Sequence, residues 1–191
     1  MESGGISMTK RVFKYIVDFE WEENWLNEMA AQGWMLKTFF MGMYEFCQGE
    51  PGEYIYRLEL LPHRSGSLES RKYFSFLEET GIEIVSTWHY WVYYRRKANE
   101  GPFDIYSDID SRIQHHRRVY RFFFPLGIAL ACYIPLNVHN MVMYSTQNIM
   151  MAIILPTALI ANLILGCVAL KTAWKQYRRA KQLGDEKRLL E

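Results

Sequence analysis

Between Phe122 and Leu170 the chain runs for 49 residues without an Asp, Glu, Lys or Arg. All 22 basic and 21 acidic residues lie in the other 142 positions. A soluble core has no reason to exclude charge over such a length. A bilayer has one, because an ion at its centre costs several kcal/mol. About 20 apolar residues cross a hydrocarbon core. The stretch therefore reads as two membrane-spanning helices, about 122–143 and 149–170. Asn137, His139 and Asn140, followed by Ser145, Thr146, Gln147 and Asn148, mark the turn between them. Pro125 and Pro135 kink the first span without breaking it.

The flanks orient this hairpin. Arg117, Arg118 and Arg121 precede it, and Lys171, Lys175, Arg178 and Arg179 follow it, whereas the turn holds no Lys or Arg. Loops rich in Lys and Arg stay inside, so both termini are expected in the cytoplasm. The mean hydropathy of −0.17 averages a polar domain with a very apolar hairpin. The organisation expected is a disordered N-terminus (1–9), a cytoplasmic domain (10–97), a linker and juxtamembrane helix (98–121), the transmembrane hairpin (122–170) and a basic cytoplasmic tail (171–191). Residues 1–11 do not read as a signal peptide.

Within the N-terminal domain the pattern alternates between strands and helices. Val12–Val17 reads as a strand, and Asp18 as the N-cap of a helix over 20–32 with Glu20, Glu22 and Glu23 at its positive end. Trp21, Trp25, Leu26 and Met29 form that helix's apolar face, and Gly33 stops it. Trp34–Cys47 reads as one long strand with a bend at Gly42, and Glu53–Leu61 returns after the turn at 48–52. Ser67–Thr80 is a second helix with Leu68, Tyr73, Phe76 and Leu77 inward, ended by Gly81; Ile82–Arg96 is the last strand. The order predicts an α+β fold, a ferredoxin-like βαββαβ domain with four antiparallel strands and both helices on one face, followed by the two-helix transmembrane hairpin.

In such a domain the second sheet face is open. Large groups fall on both parities of the last strand, Trp88, Tyr90 and Tyr94 on one and His89, Trp91 and Tyr93 on the other, so both faces are expected to be at least half buried; Trp88, Tyr90, Trp91, Tyr93, Tyr94, Phe39, Tyr54 and Tyr56 are the candidates for an open interaction face towards a protein partner or a second copy. Catalytic signals are weak. No cofactor motif stands out; His63 and His89 are isolated, and no Asp or Glu sits at a ligand spacing beside a second His. Cys47 reads as a packed strand thiol, and the His115-His116 pair as a solvated helix face before it reads as a pH-sensitive hinge. The domain carries 11 basic and 13 acidic residues between Lys10 and Lys97, so direct nucleic-acid binding is not expected.

Trp25-Leu26-Asn27-Glu28-Met29-Ala30-Ala31-Gln32-Gly33-Trp34, followed by Gly49-Glu50-Pro51-Gly52-Glu53-Tyr54-Ile55-Tyr56-Arg57-Leu58, resembles the bacterial DUF2812 family, a domain of unknown function. The segments Gly81–Trp88 and Ile105–Asp108 fit the same pattern. The resemblance implies a cytoplasmic domain ahead of paired helices in the bacterial cell membrane, and genes placed beside PadR-like transcriptional regulators. It implies no catalytic residue. The function expected is a membrane-tethered regulatory or interaction module, not an enzyme, with the lipid bilayer and a PadR-like regulator or a second copy as partners. The alternative is an anchored domain that binds or transforms a small molecule.

Overall fold

The computed structural model describes residues 8–106, 108–144 and 149–190. The N-terminal residues up to Ser7, expected to be disordered, and the turn residues Ser145, Thr146, Gln147 and Asn148 lie outside the described residues. The chain divides into two compact units, Met1–Ser107 and Asp108–Glu191.

The first unit contains β1 (Thr9–Phe13), α1 (Phe19–Ala31), β2 (Trp34–Phe40), β3 (Met43–Gln48), β4 (Tyr54–Leu60), α2 (Leu68–Glu79), β5 (Glu83–Trp88) and β6 (Trp91–Lys97). Both helices begin where the capping residues require. Asp18 Oδ1 accepts from the Glu20 amide, and Ser67 Oγ accepts from the Ser70 amide. Gly33 and Gly81, at φ 83° and 82°, take the left-handed position past each helix end.

The sheet differs from the expected one. Among the described residues there are six strands in two antiparallel three-stranded sheets, ordered β1-β3-β2 and β4-β6-β5, in place of four strands in one sheet. Each long strand read from the sequence is a hairpin. The first reverses at Met41-Gly42, at φ 47° and 81°, the left-handed geometry of a two-residue turn. The second reverses at His89-Tyr90, with His89 at φ 55°. Strands typically run five or six residues, so a run of 14 or 15 has reason to fold back. The first strand is also displaced, to Thr9–Phe13 from the expected 12–17. The unit is thus a tandem repeat of strand–helix–strand–strand, and in each copy the third strand pairs between the first and second.

α1 packs on the inward faces of both sheets. Trp25 meets Tyr44 and Phe46 edge-on at 4.8 and 5.7 Å, and Phe19 lies 6.0 Å from Trp91. The opposite face of the β4-β6-β5 sheet packs with Leu77 of α2 around Val92 and Tyr94, closed by Ile82 and Phe103. Leu68 and Phe76, expected inward on α2, are exposed. The outer edge of β4 has no strand neighbour; α1 supplies the missing hydrogen bonds. Asn27 Nδ2 donates to the Tyr56 carbonyl at 3.1 Å while its Oδ1 accepts from the Tyr56 amide at 2.8 Å. The Leu58 amide donates to Glu23 Oε1 at 2.7 Å. Where β2 meets β5, the Ser86 hydroxyl accepts from the Phe39 amide at 3.1 Å and donates to the Phe39 carbonyl at 3.3 Å.

The second unit is a helical hairpin of α3 (Ile109–Tyr144) and α4 (Ile149–Leu190), both long and apolar enough to cross a membrane. Only 11% and 17% of their most apolar windows are buried, far less than in a helix packed inside a soluble core. Pro125, Pro135 and Pro156 lie inside the helices. A Cβ on Gly127 would come within 2.6 Å of the Leu170 side chain, so the helices approach closely there. The basic tail is the continuation of α4.

Asn27→Ala would leave both backbone groups of Tyr56 without their partner. It should lower unfolding stability of the full-length protein in detergent by about 2 kcal/mol. Hydrogen exchange should accelerate at the Tyr56 amide more than at the Leu77 amide in α2.

Candidate functional site

The aromatic residues expected on one open face are divided among several environments. Phe39, Tyr56, Tyr93 and Tyr94 are buried. Phe39 and Tyr93 meet at 4.8 Å beneath α1, whereas Tyr94 belongs to the core under α2. Trp88, Tyr90 and Trp91 are half-buried around the second hairpin turn, and Tyr54 lies half-buried under the Arg95 guanidinium at 4.2 Å. Four of the eight candidates are thus core residues and the other four are half-buried. Folding the long strands into hairpins and packing α1 on the second sheet as well as the first accounts for the buried ones.

The open face is the outside of the β1-β3-β2 sheet. Phe13 pairs with Met43, and Met43 pairs with Phe40, so three large apolar side chains lie side by side across the three strands. They are exposed by 69%, 42% and 64%, and Met41 at the turn is exposed by 61%. Farther along the same face Glu45 bridges Arg11 at 3.0 Å and Lys37 at 3.1 Å. Phe40 points outward because the register of β2 shifts between Leu36 and Thr38. A bulge reverses the parity of every residue beyond it, so simple alternation from Leu36 places Phe40 on the wrong side.

A second cluster lies inside. Glu22 is buried, and its Oε1 accepts from the Tyr44 hydroxyl at 2.7 Å and the Tyr93 hydroxyl at 2.6 Å. Burial raises the Glu22 pKa, and the two hydroxyl bonds oppose the rise. The same burial and the carboxylate raise both tyrosine pKa values. Glu23 beside it is pushed up to about 7, by burial first, against the stabilising Leu58 amide and the charge of Arg57. Sequence reading assigned these glutamates to the helix dipole. Yet Glu22 stands three residues after Phe19 and four before Leu26, in the middle of the buried stripe, and that spacing was the available signal. Trp21, expected on the stripe, is exposed and holds Lys14 over its ring at 4.2 Å. Tyr73 and Tyr94 donate to Glu59 in the other core.

Of the other candidates, Cys47 is half-buried and donates to the Met35 carbonyl, and His89 is exposed at its turn. Among the described residues no group of three or more His, Cys, Asp or Glu could hold a metal ion. His116 Nδ1 contacts Gln176 Oε1 at 2.6 Å across the helix pair. His115 is buried, its pKa pushed down to about 3 by desolvation and then by the charges of His116 and Arg118. The pair expected as a solvated helix face is thus buried at His115. The basic residues flanking the apolar stretch lie on both helices: Arg117, Arg121, Lys171, Arg178 and Arg179 are exposed, Arg118 and Lys175 half-buried. They alternate with a ring cluster in which Tyr120 lies 5.1 Å from Phe124 and Trp174 lies 5.7 Å from Tyr177, the aromatic composition of a membrane interface.

The folded pKa of Glu23 lies above its unfolded value of 4.5. The folded state therefore binds the extra proton between pH 4.5 and 7, and this contribution to stability is lost as pH rises through that window. The loss amounts to at most about 3 kcal/mol. Glu23→Gln keeps the acceptor for the Leu58 amide and should flatten the pH profile measured by thermal unfolding.

No curated protein and no solved structure matches the chain. A family model described as a protein of unknown function (DUF2812) matches residues 18–128, more than half of the sequence. The match spans α1, both hairpins, the two sheets from β2 onward and the start of α3. The chain belongs to the DUF2812 family.

Proposed function

We propose that the protein is a membrane-tethered interaction module of the bacterial cell membrane. The helix pair crosses the bilayer twice, and both termini and the α+β unit lie in the cytoplasm. The outer face of the β1-β3-β2 sheet engages a protein. The exposed, register-aligned row Phe13, Met43 and Phe40 carries this reading. An apolar row rimmed by Arg11, Lys37 and Glu45 has the anatomy of a binding surface, with a desolvating centre and a polar border. The membrane placement is supported by the charge-free stretch, the exposure of its apolar side chains and the Arg and Lys on its flanks. The first candidate partner is a PadR-like transcriptional regulator, held or released at the membrane; a second copy of the chain is the other.

A second reading has its own support. A buried carboxylate bracketed by Tyr44 and Tyr93, with Phe39 and Trp25 around them, has the chemistry that accepts an organic cation. The α+β unit would then be a small-molecule-binding or enzymatic domain, and Glu22→Gln would abolish any thermal stabilisation that tetraphenylphosphonium produces in the wild-type protein.

The partner reading is tested by co-purification from membranes with the neighbouring PadR-like regulator, together with the mass of the detergent-solubilised particle. The wild-type protein should retain the regulator or form a dimer. Phe13→Ser/Phe40→Ser should lose at least tenfold of that association with little change in melting temperature, because most of both side chains is already in water. Absence of both associations in the wild type would reject the reading.

A further inference from the structure

The helices of the second unit leave a groove of ≈ 490 Å³ between the 110–120 segment of α3 and the 177–188 segment of α4. Its floor is apolar, since Ile113 and Ala180 are buried. Its walls carry four cations, Arg117, Lys181, Lys187 and Arg188, against two carboxylates, Asp110 and Asp185. The carboxylates are engaged at one end. Asp110 takes Lys187 at 2.8 Å, and Asp185 lies 3.9 Å from Arg188. Arg117 and Lys181 remain towards the other end, both exposed. Gly127 lies against Leu170. Arg117 is ten residues from that contact along α3 and Lys181 eleven along α4, so the two cations stand at one level of the antiparallel pair. Beside them the rings of Tyr120 and Tyr177 are 5.8 Å apart.

Gly184 lines the same groove within α4, and a Cβ built on it would meet nothing within 4 Å.

We propose that this groove binds a phosphate ester, with the phosphate between Arg117 and Lys181 and the organic part against Tyr120 and Tyr177. The groove's formal excess of two positive charges complements a phosphate monoester, which carries about −1.5 to −2. The Arg117 fork suits phosphate oxygens, and Lys181 adds a point charge. The volume falls in the range of about 300–1,000 Å³ common to small-molecule sites. Two sources present this chemistry. One is the headgroup of an anionic phospholipid: Arg117 is five residues from Phe122, about 7 Å along the helix, within headgroup depth of the apolar stretch. The other is a soluble phosphate compound entering from the water beyond.

The experiment is native mass spectrometry of the full-length protein released from neutral detergent. Phosphatidic acid and phenyl phosphate, a lipid and a soluble phosphate monoester, are offered separately, with phosphatidylcholine as the zwitterionic control. Retention of phosphatidic acid over phosphatidylcholine identifies the lipid source, and retention of phenyl phosphate alone the soluble one. In either case retention should fall at least fivefold in Arg117→Ala/Lys181→Ala. It should fall equally in Gly184→Leu, which fills the groove and leaves every charge in place. Arg178→Ala, outside the groove, should change nothing. Binding of neither probe overturns the proposal. So does retention that is equal for the two lipids, that survives Gly184→Leu, or that falls as far in Arg178→Ala.

Discussion

A strand edge is a row of unpaired peptide groups, and burying one is costly unless every group finds a partner. In the α+β unit single side chains provide those partners. Asn27 turns its carboxamide on Tyr56 and both donates and accepts, as the peptide of a neighbouring strand would. Ser86 does the same for Phe39 with one hydroxyl, and the Tyr56 hydroxyl receives the Leu36 amide. These contacts join two small sheets and a helix into one core without a continuous ladder. Small sheets gain stability through an apolar face or a packed helix, and these contacts are what bring both sheets onto α1.

The same arrangement explains why carboxylates are found inside. α1 has to be apolar where it meets two sheets, yet it also has to satisfy β4. Glu23 and Asn27 are the price of covering that edge with a helix. Glu22 has no edge to satisfy, and two tyrosine hydroxyls from different sheets converge on it instead. That convergence fixes Tyr44 of β3 and Tyr93 of β6 relative to α1.

The repeat clarifies which face is free. The two strand–helix–strand–strand copies share a pairing order, but their environments differ. In the second copy the sheet is covered on both faces, by α2 on one and α1 on the other. In the first copy α1 covers the inner face, and the outer face keeps Phe13, Phe40 and Met43 exposed. The asymmetry between the copies is what leaves this apolar face exposed.

The sequence by itself determined the local features: helix caps at Asp18 and Ser67, glycine stops at Gly33 and Gly81, and the two long apolar helices. Each follows from near-neighbour chemistry or from composition over a long window. The tertiary structure alone decided the strand count, the open face and the buried carboxylates. The turn at His89-Tyr90 lacks the Asn-Gly or Asp-Gly signature of a tight hairpin, so the sequence ran on as one strand. The β2 register shift exchanged the two faces beyond Leu36, and no local pattern announces such a shift. Glu22 reads as a helix-dipole residue until Tyr44 and Tyr93, 22 and 71 residues away, close around it. Partners so distant in sequence exist only once the chain has folded.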